Sequence, residues 1–194
     1  PPDQPPDAFR DDPLALQSAK ELFKDSGDDY LMQSPEAYKA NRLIYVSDPV
    51  DAPITIAGVM TLLANVSLDT PDADVWVGVD AILPDGRTLV LNQDVMRGRF
   101  RHGPSKMKRV KPGVVEPWQF DGFYYTVREL PKGTRLRVIL APVNTPDWQK
   151  NYNSGGRIGY ETAASARAAT ISIHLDPKHP SWLEIPLAKA EAAK

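Results

Sequence analysis

Two groupings of side chains in this chain have types and spacings that could do chemistry. His174-x-Asp176-x-x-His179 offers two imidazoles and a carboxylate, a set that binds zinc at spacings close to this one. Asp176-Pro177 and His179-Pro180 are also turn-forming dipeptides, so the plainer reading is a turn, and no metal ligand is expected. Arg97, Arg99 and Arg101 stand at alternate positions, so an extended backbone would send three guanidiniums to one side. Arginine pairs with carboxylates in bidentate fashion. Asp72, Asp74 and Asp80 are the candidates within the domain, and a partner domain is another source. The alternative is plain solvation of a strand face.

Nucleophilic catalysis by a serine would need a strained elbow, a histidine base and an orienting carboxylate. No G-x-S-x-G occurs; the nearest cluster, Asn153-Ser154-Gly155-Gly156, lacks the first glycine. No catalytic residue is therefore expected in this chain. Gly155-Gly156-Arg157-Ile158-Gly159 has neither the preceding strand nor the following helix that would aim amides at a phosphate, and it reads as a loop. Trp148, Tyr152 and Trp182 would make an aromatic platform for sugar rings if exposed together, although tryptophan is usually part of a core.

The elements that must position these groups are strands. Val75, Val77, Val79 and Ala81 alternate with Trp76, Gly78, Asp80 and Ile82, the period-two pattern of a two-faced strand. Pro84-Asp85-Gly86 supplies a turn, and residues 88–91 run back, which makes a hairpin. Further strands are expected at 43–46, 54–57, 59–68, 134–141, 168–175 and 182–187, with one or two across 116–130. In that last stretch Trp118, Phe120, Phe123 and Tyr125 carry most of the apolar area.

The start reads differently. Residues 1–11 are expected to be a proline-rich linker, and residues 12–40 a helical arm. Asp12 is placed to cap a helix, with Pro13 at its first position, and Gly27 to end it. Residues 188–194 read as a tail.

Composition sets the outer limits. The 194 residues suit one domain with a sizeable core, and 19 prolines suit strands and loops better than a helical bundle. A net charge of −2 gives no electrostatic reason to expect nucleic acid or an anionic membrane as partner. The absence of cysteine removes disulfides and thiol chemistry and leaves the compartment open. No apolar run approaches the ~18 residues of a membrane-spanning helix.

The order Pro71-Asp72-x-Asp74, strand, Pro-Asp-Gly turn, strand, R-x-R-x-R resembles the C-terminal jelly-roll domain of one serine hydrolase family. That family comprises X-prolyl dipeptidyl peptidases, cocaine esterase-like enzymes, α-amino-acid ester hydrolases and related β-lactam acylases. Pro131-Lys132-Gly133 followed by TRLRVILA resembles a later segment of that domain, with Thr134 where many members have histidine. The loop carrying Trp148, Lys150, Asn151, Asn153, Ser154 and Gly155 resembles another. The resemblance spans residues 41–187.

It implies an all-β jelly-roll sandwich, galactose-binding-like, with the helical arm added. It also implies an accessory role: packing on an N-terminal α/β-hydrolase domain of the same gene or a processed chain, helping to wall its substrate pocket, and supporting a homo-oligomer. Arg97, Arg99, Arg101, Trp148, Asn151, Tyr152 and Asn153 are then the binding or interface candidates, with no cofactor. An independent carbohydrate-binding module and a structural domain of a larger assembly are the rival readings.

Overall fold

The structure, a computed structural model, describes residues 4–15, 41–143 and 148–188. Among these residues eleven strands run in the order β1 (Asp7–Asp11), β2 (Leu43–Val46), β3 (Ile54–Gly58), β4 (Thr61–Leu68), β5 (Asp74–Ile82), β6 (Thr88–Arg97), β7 (Glu116–Phe120), β8 (Thr126–Leu130), β9 (Arg135–Pro142), β10 (Ala169–His174) and β11 (Trp182–Glu184). All pairings between them are antiparallel. One sheet is built on β4, which pairs with β7, β10 and β11, and β1 extends it beyond β10. The second has the order β2-β9-β5-β6, and β3 and β8 make a separate ribbon. The domain is an all-β sandwich of the jelly-roll type.

The hairpin of β5 and β6 has the geometry its pattern predicts. Val75, Val77, Val79 and Ala81 are fully buried against the other sheet, where β-branched side chains pack well on a pleated surface. On the opposite face the Trp76 ring lies over Gly78, so close that a Cβ there would meet it at 2.2 Å. Leu62, Ala64, Val66 and Leu68 from β4 face inward with Trp118, Phe120, Ile171 and Ile173. Fully burying a side chain of this size contributes about 1.5–3 kcal/mol.

Several expectations are corrected. Asp7–Asp11, placed in the linker, is a strand: it pairs with β10 from Asp7 opposite Ile173 to Asp11 opposite Ala169. Its single large apolar residue, Phe9, enters the core, a signal too weak to read without its partner strand. The arginine triad is not extended: β6 ends at Arg97, and Gly98–Phe100 is a 3₁₀ turn. Tyr125 is 68% exposed and carries none of the core, unlike Trp118, Phe120 and Phe123. Residues 16–40, most of the expected helical arm, lie outside the described residues, as do 189–194 of the tail. What is seen of the arm's start is a turn in which Asp12 Oδ1 accepts the Leu14 N–H at 3.0 Å. No helix among the described residues is long and apolar enough to cross a membrane.

Candidate functional site

The site is built around the two aspartates that open β5. Asp74 sits opposite Arg97 in the β5–β6 ladder. The Arg97 guanidinium donates from Nε to Asp74 Oδ1 at 2.9 Å and from Nη2 to Oδ2 at 2.8 Å, the fork geometry that arginine offers a carboxylate. Asp72 lies just before β5 and is fully buried. It accepts the backbone N–H of Arg99 at 2.8 Å on Oδ1 and Arg99 Nε at 2.6 Å on Oδ2. Burial pushes the Asp72 carboxyl up, against the pull of the Arg99 charge. The 3₁₀ turn gives each arginine its own direction: Arg101 donates from Nη1 to the carbonyls of Gly98 and Lys108 and pairs through Nη2 with Glu116 at 2.6 Å. Asp80, the third expected carboxylate, is taken instead by Arg137 of β9, with Nε to Oδ2 at 3.0 Å.

These pairs fasten the loop that follows β9. Asn151 Nδ2 donates to Asp72 Oδ2 at 3.0 Å and to Asp74 Oδ1 at 2.7 Å. Its own Oδ1 accepts the Asn153 N–H at 2.9 Å. Asn153 is buried with φ at +58°, a left-handed conformation that asparagine tolerates. Its Nδ2 donates to Asp11 Oδ2 at 2.8 Å, which ties the loop to β1. Arg97 Nη2 reaches the Gln149 carbonyl at 2.6 Å, and Arg99 Nη1 the Gly156 carbonyl at 2.7 Å. Ser154 Oγ donates to Glu161, which also accepts the Gly156 N–H at 3.0 Å. Asp11 is a carboxyl with few donors: burial raises its pKa to about 6, against the Asn153 hydrogen bond, with Asp74 adding to the rise.

Beside this brace lies a cleft of about 860 Å³. Its lining includes the cations Arg97 and Arg101, the aromatic rings of Phe100 and Trp148, and the carboxylates Asp94 and Asp121. Trp148 is half exposed there. Asp94 is held by the N–H groups of Gly122 at 2.9 Å and Val95 at 2.7 Å, while burial raises its pKa. Among the residues singled out in the sequence, then, Arg97, Arg101 and Trp148 reach the cleft. Arg99, Asn151 and Asn153 are interior and act on the loop from beneath. Tyr152 lies under the Lys150 ammonium, 5.4 Å from its ring centroid. Sequence reasoning missed Asp11, Asp94, Gln149 and Glu161; the first had been read as linker, and none belongs to a local pattern.

The hairpin with its aspartates, the arginine turn and the asparagine loop are thus one connected unit, and they lie within residues 7–184, which match the X-Pro dipeptidyl-peptidase C-terminal non-catalytic domain. The chain belongs to that family. The cocaine esterase of Rhodococcus sp. (strain MB1 Bresler) is 26% identical to this non-catalytic domain over 178 residues, covering 92% of the chain and 31% of the esterase. The crystal structure of an aminopeptidase from a marine sediment archaeon, Thaumarchaeota archaeon, superposes with a TM-score of 0.82 at 19% identity, covering 97% of this chain and 34% of that one. An α-amino acid ester hydrolase gives 0.79 at 19% identity, covering 95% and 33%. The two structures share the fold, and the chain spans about a third of the length of each relative.

Proposed function

We infer that this chain is the accessory domain of a serine hydrolase of the α/β-hydrolase type, cleaving an ester or amide bond, and that bond cleavage belongs to the partner domain. The observation that carries this reading is the braced cleft. A loop tied down by the buried Arg99–Asp72 pair, the part-buried Arg97–Asp74 pair and two asparagines carries Trp148 into the cleft that Arg97 also lines. Groups held this firmly suit a wall against which another domain's substrate is oriented, because positioning is lost with small displacements. The family membership and the one-third share of longer hydrolases support the same reading.

The aromatic-platform reading finds less support, since of Trp148, Tyr152 and Trp182 only Trp148 lines the cleft. The first test is the mass of the native protein detected with an antibody against this domain. A denatured band several-fold heavier than 21.5 kDa is expected. A band near that mass in both denatured and native samples would overturn the reading. In the full hydrolase, Trp148→Ala is then expected to raise KM for nitrophenyl esters or X-Pro substrates several-fold with little change in stability.

A further inference from the structure

We propose that His174, Asp176 and His179 form a site for a divalent cation of the zinc class, at the step between β10 and β11. The backbone explains why they meet. β10 pairs with the Asn65–Leu68 end of β4, and β11 with the Thr61–Leu63 end. β7 pairs with Leu62 to Val66 of the same strand, so β10 and β11 share its other edge. Between them the chain leaves the edge at His174, opposite Asn65, and rejoins it at Trp182, opposite Leu63.

The excursion is sewn to β4 at its base. Asn65 Nδ2 donates to the Pro180 carbonyl at 2.7 Å, the Asn65 N–H to Ser181 Oγ at 2.9 Å, and Ser181 Oγ to the His174 carbonyl at 2.7 Å. Within it, Asp176 Oδ1 accepts the Lys178 N–H at 2.8 Å, and its carbonyl accepts the His179 N–H at 3.0 Å. This turn folds His179 back over Asp176 and toward His174.

One ligand atom from each of the three residues lies within 4.8 Å of the others. His179 Nδ1 and Asp176 Oδ2 are already 3.0 Å apart, and donors on a tetrahedral ion with bonds near 2.0–2.1 Å stand ~3.4 Å apart. With all three donor atoms within 4.8 Å of one another, small side-chain adjustments bring them onto one ion with the Ser67 contact to His174 kept. Ser67 Oγ sits 2.9 Å from His174 Nε2. When the hydroxyl accepts from Nε2–H, the Nδ1 lone pair is left for an ion, the orienting contact that metal-bound imidazoles usually have. Two imidazoles and one carboxylate are the borderline donors that zinc prefers. Three protein ligands leave the fourth position to water or to a group from a partner.

The test is calorimetric titration of zinc chloride into the untagged, chelator-treated chain, paired with thermal unfolding with and without the ion. The expected result is one saturable equivalent and a raised Tm. Both should be lost in His174→Ala and His179→Ala and retained in His102→Ala, which removes the third histidine of the chain. Ser67→Ala should weaken binding by roughly tenfold. Cobalt in place of zinc should give the visible absorption of a tetrahedral site. No saturable binding at micromolar zinc overturns the proposal, and so does binding that survives both histidine variants. His179→Gln, with its circular dichroism compared to the parent, ensures that a loss of binding is not a loss of folding.

Discussion

At one end of the β5–β6 hairpin, Arg87 Nε donates to Asp85 Oδ2 at 2.7 Å with both side chains more than half exposed. At the other end, Arg99 Nε donates to Asp72 Oδ2 at 2.6 Å with both sealed from water. The bond lengths barely differ, and the consequences do. Around Asp85 and Arg87 water screens the charges and competes for each hydrogen bond, so the pair does little beyond shaping its turn. Around Asp72 and Arg99 neither charge has water to fall back on, and removing one leaves the other buried with its weaker partners only, Glu161 at 3.6 Å for Arg99 and the Asn151 amide for Asp72. Contact distance therefore says little about energetic weight until the surroundings of the contact are known.

The comparison breaks most visibly at its buried end. Asp72→Ala is expected to cost about 3 kcal/mol, because Arg99 keeps its charge and loses the carboxylate it bonds at 2.6 Å, with the more distant Glu161 at 3.6 Å left as counter-ion. The urea midpoint at unchanged m-value reads this, and a loss below ~1 kcal/mol would mean that water reaches the pair. Replacing both partners, as Asp72→Leu with Arg99→Met, should return much of the loss.

Asp11 sharpens the contrast through pH. Its carboxyl is buried without a guanidinium, and its pKa rises to about 6. Between about pH 4 and pH 6 the folded state then holds a proton that the unfolded chain has released, so stability falls as pH rises through that window. Asp11→Asn should flatten this part of the stability–pH curve and raise stability at pH 7 by ~2 kcal/mol. An unchanged slope would show that other groups titrate there instead.

Gly155 tests the loop that Asp72, Asp74 and Asp11 hold in place through Asn151 and Asn153. Its φ is +69°, and a Cβ would approach Pro71 Cβ to 2.8 Å. Gly155→Ala is expected to cost about 1–2 kcal/mol from the left-handed backbone alone, together with altered tryptophan fluorescence at the cleft. At the exposed end, Arg87→Ala should leave the urea midpoint where it is.

Much of this was legible in the chain, for reasons that differ by element. The valine alternation of β5 and the Pro-Asp-Gly turn are local signals, and the hairpin follows from them. The pairing of Arg97 and Arg99 with Asp74 and Asp72 could be foreseen because hairpin register brings the two ends together. Arg137 could not be assigned to Asp80, since their contact depends on β9 entering the sheet beside β5. The 3₁₀ turn was hidden because R-x-R-x-R has the same spacing in a strand, and only Gly98 between the arginines hints otherwise. Asn151 and Asn153 were flagged by resemblance, but polar residues in a loop give no sign that they are buried. The strand at Asp7–Asp11 was missed because two of its five residues are aspartates, and it owes its conformation to β10.

That short strand also bears on solubility. β10 carries Ala169, Ile171 and Ile173 into the core, and β1 occupies the edge opposite β4. A chain shortened to begin after Asp11 would present a row of open amides and carbonyls on an apolar strand, the template on which a second molecule adds by β-pairing. The first strand is thus a guard against self-association, and a domain boundary drawn after it would yield a protein prone to aggregate.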